Sequence, residues 1–251
     1  MRLLIRLGAL KACSYDNQYY HKLRGFLYEL QKDSKLFNRH TIAGYKFFCF
    51  SNIFPAKDMR YGDKRTVIIS CPSRDWIYWL RGRLTEMQEL QKPMEIGEMQ
   101  FGIETVSTFT KHVTKKISLI TGTPIVLRIP KENYKSYGIE SKRPFEYWRP
   151  EYDFNAFLKQ ISDNLVKKYN LYFNKKIHEQ NIFQEFSFKR PVCVHRIEQG
   201  KEVPTVGSLW EFRFSHLTPL QQDILQLGLD AGFGELNSSG FGFMNVVMAW
   251  C

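Results

Sequence analysis

The sequence predicts an α+β fold of two consecutive βαββαβ halves followed by a glycine-rich segment, on three observations. Alternating and helical periodicities succeed one another in that order over the first 110 or so positions. A similar order begins again after a polar stretch at His112–Lys116. The chain then closes with a helix carrying explicit start signals, the run GFGELNSSGFGF at 232–243, and a last apolar, β-rich run, FGFMNVVMAW.

The elements follow from the side-chain period. RLLIRL at 2–7 alternates as a half-buried strand does. Over 17–33, Tyr20, Leu23, Leu27 and Leu30, with Phe26, fall on one helical face. YKFFCFSNIF (45–54) and RTVIISC (65–71) read as strands, Ile77, Leu80, Leu84 and Met87 line a helix over 73–91, and 96–109 closes the first half as a strand. This is the ferredoxin-like order. In the second half KISLITGTPIVLRI (116–129) reads as one strand, and a proline- and charge-rich connection, 130–152, leads to a helix with Phe154, Phe157, Leu158, Ile161 and Leu165 on one face. Segments 182–190 and 206–215 supply strands. Thr218, Pro219 and Gln221 form an N-cap, a first-turn proline and a capping-box partner for a helix to about 229. The expected domains are 1–112 and 113–251, both ferredoxin-like although no residue-level repeat joins them.

Composition narrows the function. With 251 residues, 43% hydrophobic and 24% charged, the chain can bury the cores of two small domains. No apolar run approaches the roughly 18 to 20 residues of a membrane helix. MRLLIRLGALK carries Arg6 inside its apolar run and no small-residue cleavage site follows, so a cytoplasmic location and no membrane partner are expected. The five cysteines, Cys13, Cys49, Cys71, Cys193 and Cys251, form no C-x-x-C, and the six histidines form no ligand pair. No metal site and no cofactor are expected.

Charge is more telling. Thirty-six Lys and Arg against twenty-five Asp and Glu give +11, which attracts a polyanion, and a 15% aromatic content offers surfaces for unpaired bases. The glycine segment places Gly232, Gly234, Gly240 and Gly242 in two G-x-G pairs between a helix and a strand. Such glycines permit positive φ and close approach of another molecule to the main chain, or simply make a tight connection. The helix-to-strand direction is the reverse of a dinucleotide fingerprint, and no Gly-Lys-Ser/Thr ends it as in a P-loop. Phe233, Phe241 and Phe243 are expected to pack beneath the segment.

The opening MRLLIRL, the segment NQYYHKLRGFLY and the terminal GFGELNSSGFGF together resemble the CRISPR repeat-processing endoribonucleases, the sixth CRISPR-associated protein family of the RAMP superfamily. The resemblance spans nearly the whole chain. It implies metal-independent cleavage of CRISPR precursor RNA within its repeats, with repeat RNA and other CRISPR-associated effector subunits as partners and a monomer or homodimer as the assembly. Such a reaction needs a group to take the ribose 2′-hydroxyl proton, one to protonate the leaving 5′-oxygen, and a cation to steady the phosphorane.

Residues resembling the family's tyrosine, histidine and lysine triad are Tyr28, His40 and Lys46. His40 is the acid or base, Lys46 the charge stabiliser, and Tyr28 a group orienting the 2′-hydroxyl or the phosphate. Tyr28 points roughly 120° from the apolar stripe of its helix, on a flank with Arg24, Lys32 and Lys35. His21 falls on the same flank and is the rival histidine. Arg24, Arg39 and the four loop glycines are the expected RNA-binding residues. Arg2, Arg6, Lys22 and Lys57 in the first half, with Lys115, Lys116, Arg128, Lys189 and Arg190 in the second, are further candidates for the RNA backbone. Two other readings fit parts of this pattern: a non-catalytic subunit that grips repeat RNA, and a protein using the glycine segment for a small phosphorylated ligand.

Overall fold

The structure, a computed structural model, describes residues 1–32, 34, 44–178, 180–198 and 200–247. The chain divides into two compact units, Met1–Lys111 with Ser238–Gly240, and His112–Asn237 with Phe241–Cys251. Three residues of the glycine-rich segment thus group with the first unit, although the sequence places them in the second half.

In the first unit the order is β1 (Arg2–Ala9), α1 (Tyr19–Gln31), β2 (Cys49–Phe50), β3 (Lys64–Ser70), α2 (Arg74–Glu89), β4 (Met94–Ile96) and β5 (Met99–Phe109). They form one antiparallel sheet, β2-β3-β1-β5-β4. Its register sets Leu3 opposite Ile69 and Ile5 opposite Val67, so the alternation of both strands delivers these side chains to one buried face. α2, capped by the Ser73 hydroxyl accepting from the Trp76 N–H at 3.3 Å, packs on β1 and β5.

Two expectations change here. The run 45–54 holds only the two-residue β2: Phe47, with φ of 52°, prevents an extended strand before it, and after it the Ser51 hydroxyl takes the Ile68 N–H, so that pairing returns only at the Phe54–Thr66 bridge. The run 96–109 belongs to a hairpin that begins at Met94, with Gly97 at φ 64° making a two-residue turn between β4 and β5.

The second unit contains β6 (Ile117–Thr121), β7 (Arg128–Pro130), β8 (Phe145–Tyr147), α3 (Phe154–Phe173), β9 (Glu185–Glu198), β10 (Lys201–Phe214), α4 (Pro219–Ala231) and β11 (Met244–Val247). The main sheet is ordered β11-β6-β10-β9, and β7 and β8 form a separate hairpin. Strand 116–129 is therefore interrupted. At Gly122–Pro124 the chain leaves the ladder, and the Gly122 and Thr123 N–H groups donate to the Phe243 carbonyl while Thr123 Oγ1 accepts from the Phe243 N–H. The two strands expected at 182–190 and 206–215 are longer, forming one hairpin of 14-residue strands. Aromatic burial holds this core, with Phe157 stacked on Trp210 at 4.0 Å and Trp148 against both. α4 begins as its start signals predict, with both halves of the capping box formed and Pro219 in the first turn.

The glycine-rich segment is closed by its own chain. Phe233 N–H donates to the Gly242 carbonyl and Gly242 N–H to the Pro124 carbonyl, at 2.9 and 2.8 Å. Asn237 Nδ2 donates to the Phe233 and Phe241 carbonyls, both at 3.0 Å. From α3, the Lys168 ammonium donates to the Gly232 and Gly234 carbonyls and to Asn237 Oδ1, at 2.7, 2.6 and 2.6 Å. Lys168 is 1% exposed, so its charge is solvated by these acceptors in place of water.

Lys168→Met keeps the stem and removes the donor, leaving three buried acceptors short of a partner. At about 1–3 kcal/mol for each such group, a loss of about 3 kcal/mol or more in urea unfolding is expected. Wild-type stability in that variant would show that the ammonium does not hold the segment.

Candidate nucleic-acid interface and reaction site

α1 carries most of the candidate residues of the first unit. Asp16 organises its start: its carbonyl accepts from the Tyr19 N–H, one carboxylate oxygen from the Gln18 N–H, and the other pairs with Lys22 at 2.5 Å. Tyr20, Leu23, Leu27 and Gln31 are buried. Gln31 ends the buried face with polar ties, donating to the Leu27 carbonyl at 2.7 Å and accepting from Trp76 Nε1 at 3.3 Å. Tyr19 and Tyr20 both donate to Asn52 Oδ1, at 2.5 and 3.4 Å, and burial raises the pKa of each phenol.

Tyr28 is half-buried. Its ring meets Phe48 nearly edge-on, at 6.1 Å between centroids, and Phe48 in turn stacks on Trp76 at 5.3 Å. Its place is therefore on the margin of the core rather than wholly outside it, because the 45–48 segment folds against this flank of α1. Lys46 lies two residues before Phe48, so the structure brings the chain carrying Lys46 to Tyr28. Lys46 is half-buried and burial lowers its pKa, a condition in which an anion is a favourable neighbour. Phe47, between them, holds the positive φ that turns the chain here.

His40 and Arg39, with Lys35, lie outside the described residues. His21 is described: it is exposed, and its pKa is lowered by desolvation and by the neighbouring Arg24 and Lys22 charges. An imidazole so placed favours its neutral, proton-accepting form. Arg24 is half-buried and donates to Ser239 Oγ at 3.0 Å, which ties α1 to the tip of the glycine-rich segment. At Gly240, with φ of 90°, an added Cβ would run into the Tyr20 and Phe50 rings.

All four loop glycines have positive φ and are buried. The space a side chain would take is filled by the protein itself: Asn237 beside Gly232, the Val126 carbonyl beside Gly234, and the Phe233 carbonyl beside Gly242. The conformational need is thus internal, and the missing Cβ atoms do not open onto solvent. Phe233, Phe241 and Phe243 are fully buried, in keeping with the packing expected of them.

The other basic candidates separate by environment. Arg2 is 2% exposed and is not placed to follow an RNA backbone. Lys22, Arg128 and Lys189 are in ion pairs with Asp16, Glu235 and Glu211. Arg6, Lys57, Lys115, Lys116 and Arg190 are exposed. Among the described residues no group of three or more His, Cys, Asp or Glu side chains is arranged to hold a metal ion, and no helix is long and apolar enough to cross a membrane.

Ser239, Asn237 and Lys168 are the organising residues that sequence reasoning missed. For Lys168 a signal existed: with Ile161 and Leu165 it continues the i, i+4, i+7 stripe of α3, where a lysine is out of place unless it is paired.

The fold is shared with solved structures. One described as an RAMP protein binding different RNA substrates matches at TM-score 0.72 and 17% identity, covering 98% of this chain and 99% of that one. Another, described as CRISPR associated protein Cas6, matches at TM-score 0.69 and 20% identity over 98% and 99% of the two chains. These define the class as RAMP-like in fold. Residues 107–246, more than half the chain, match the family described as CRISPR associated protein Cas6, C-terminal, and the chain belongs to that family. Among curated proteins, the CRISPR-associated endoribonuclease Cas6 2 of Methanocaldococcus jannaschii is 29% identical, over 98% of this chain and 100% of its own length. The CRISPR-associated endoribonuclease Cas6 of Haloferax mediterranei is also 29% identical, over 98% and 94%.

Gly240→Val is expected to lower the thermal midpoint by several degrees, since it meets both a positive φ and two rings of the core. An unchanged midpoint, measured by calorimetry, would mean that this contact gives way at no cost.

Proposed function

We propose that this protein is an endoribonuclease that cleaves CRISPR precursor RNA within its repeats. The observation that carries the reading is membership of the Cas6 family together with likeness, along nearly the full length, to curated endoribonucleases. The +11 charge supports a polyanionic substrate.

The strand orders support two ferredoxin-like domains, with boundaries near 1–112 and 113–251. Taking β1, β2, β3 and β5 as the four strands of the first gives 4-1-3-2, and taking β6, β9, β10 and β11 gives the same order in the second. The added β4 and the β7–β8 hairpin are insertions in this scheme.

In the proposed reaction the ribose 2′-oxygen attacks the adjacent phosphorus in line, the 5′-oxygen of the next nucleotide departs, and the products carry a 2′,3′-cyclic phosphate and a 5′-hydroxyl. His40 moves a proton at one of the two oxygens, and water exchanges the proton at the other. Lys46 stabilises the added negative charge on the phosphate, and its lowered pKa reflects a partly desolvated ammonium that such an anion would compensate. Tyr28, steadied against Phe48, hydrogen-bonds the 2′-hydroxyl or the phosphate. Arg39 binds the RNA backbone, and Arg24 combines a role there with its tie to Ser239. Gly232, Gly234, Gly240 and Gly242 serve RNA binding by holding the path of their segment. The internal nucleophile and these side chains account for the step without a metal ion. Other CRISPR-associated subunits are proposed as partners of the processed RNA complex.

Purified protein should cut a labelled repeat transcript in EDTA, leaving a 5′-hydroxyl, whereas a purely binding subunit would retain the RNA intact. A 2′-deoxy nucleotide at the cleaved position should abolish cutting and spare binding. His40→Ala should slow single-turnover cleavage by about 100-fold or more with little change in affinity. If His21→Ala has that effect instead, the proton-transfer role moves to α1. The acid limb of the rate profile should then lie below the ordinary histidine range of about 6.5, because the His21 pKa is depressed.

A further inference from the structure

The connection between β2 and β3 presents its aromatic side chains to solvent. Phe54 is 65% exposed and Tyr61 77%, the two highest values among the large hydrophobic side chains described. Exposed single aromatics are ordinary. Here, however, the backbone beneath them is rigidly built. The Arg65 guanidinium, 3% exposed, donates to the carbonyls of Lys57, Asp58 and Lys64 at 3.1, 3.0 and 2.8 Å. Phe54 is held by a reciprocal backbone pair with Thr66, both bonds 2.8 Å. Tyr61 sits in a turn closed by Asp63 N–H to the Arg60 carbonyl at 3.1 Å, with the next residue, Gly62, bonded to Ala9.

The connection carries exposed charge of both signs, its carboxylates bound to backbone groups. Asp58 and Asp63 are turned to backbone donors, accepting from the Tyr15 and Arg60 N–H groups at 2.8 and 3.1 Å. Lys57 and Arg60 are exposed, and after the hydrogen bond from the Arg60 N–H their charges, within electrostatic reach of Asp63, help lower its pKa. The register adds Arg6: Phe54 bridges to Thr66, and Thr66 lies opposite Arg6 on β1, so Phe54 and the exposed Arg6 share one face of the sheet. Two exposed aromatic rings on a hydrogen-bonded backbone, with three exposed cations, form the combination that holds unpaired nucleic acid, with rings against bases and cations against phosphates.

We propose that the β2–β3 connection is a stacking platform for single-stranded nucleotides of the RNA substrate that lie away from the cleaved linkage. Phe54 and Tyr61 take bases, and Arg6, Lys57 and Arg60 take phosphates. The proposal rests on the ribonuclease reading. It adds a second contact region, joined to Lys46 by the edge-strand segment that contains β2.

The test uses repeat RNAs made uncleavable by a 2′-deoxy nucleotide and shortened stepwise from either end, all spanning the cut position. Fluorescence anisotropy gives Kd for the wild-type protein and for the Phe54→Ala/Tyr61→Ala double variant. Both side chains are exposed, and circular dichroism checks that the variant is folded. The variant should bind the longest RNA at least about tenfold more weakly and the shortest equally well, while its single-turnover rate on saturating cleavable RNA is unchanged. Lys57→Gln/Arg60→Gln should reduce the slope of log Kd against log salt by about 1.4, the value for two single-strand phosphate contacts. Equal affinity of wild type and aromatic variant at every length overturns the platform and leaves the surface to a protein partner. An equal loss at every length overturns it also, because the effect would then not depend on flanking nucleotides. If the wild-type protein neither binds nor cuts the repeat, the ribonuclease reading fails and the platform with it.

Discussion

The buried ammonium of Lys168 is the interaction on which the glycine-rich segment depends. A charge removed from water must be solvated by something, and here two main-chain carbonyls and the Asn237 side chain do it. Asn237 uses its amide donors on the carbonyls of Phe233 and Phe241, so a single side-chain pair ties the two ends of the segment. The chain can meet these partners only by turning through positive φ at four glycines and at Leu236. The G-x-G pairs are therefore the backbone counterpart of a lysine some sixty positions earlier. Ser238–Gly240 follow directly from Asn237, and Ser239 accepts the Arg24 guanidinium.

The surroundings of α1 show how packing and neighbouring charge shape the titration of its flank. Its core face is closed by Leu23, Leu27 and the Gln31–Trp76 hydrogen bond, which leaves Tyr28 at the margin, its ring edge-on to Phe48. Desolvation lowers the pKa of both His21 and Lys46, and the cations next to His21 add to the effect. A phosphate beside either group would favour its protonated form, opposing that shift.

Much of the architecture was legible because it is local. Alternation in RLLIRL, the helical stripe of α1 and the Thr218–Gln221 capping box each lie within a few residues of their cause. Boundaries were less legible wherever long-range partners decide them. KISLITGTPIVLRI has strand composition throughout, yet it is interrupted at Gly122–Pro124, where Phe243 captures the N–H groups that would continue the ladder. YKFFCFSNIF is equally apolar, yet a positive φ at Phe47 before β2 and the Ser51 hydroxyl on the Ile68 N–H after it restrict the paired strand to two residues. Of the candidate site, Tyr28 and Lys46 were named from family resemblance, and helix geometry set Arg24 on the flank of Tyr28. Ser239 and Asn237 were not, because nothing in their neighbours along the chain marks a polar side chain as a partner of a distant one.

By itself, then, the chain determined its periodicities, its excess of positive charge and the motifs that mark its family, since each is written in residue order. Tertiary structure alone decided that Arg2 is covered, that the glycines face protein, and that a lysine on an apolar stripe is the fastener of the loop. The physical reason is that burial and hydrogen-bond satisfaction are properties of what surrounds a group in space, and residues far apart in sequence supply those surroundings.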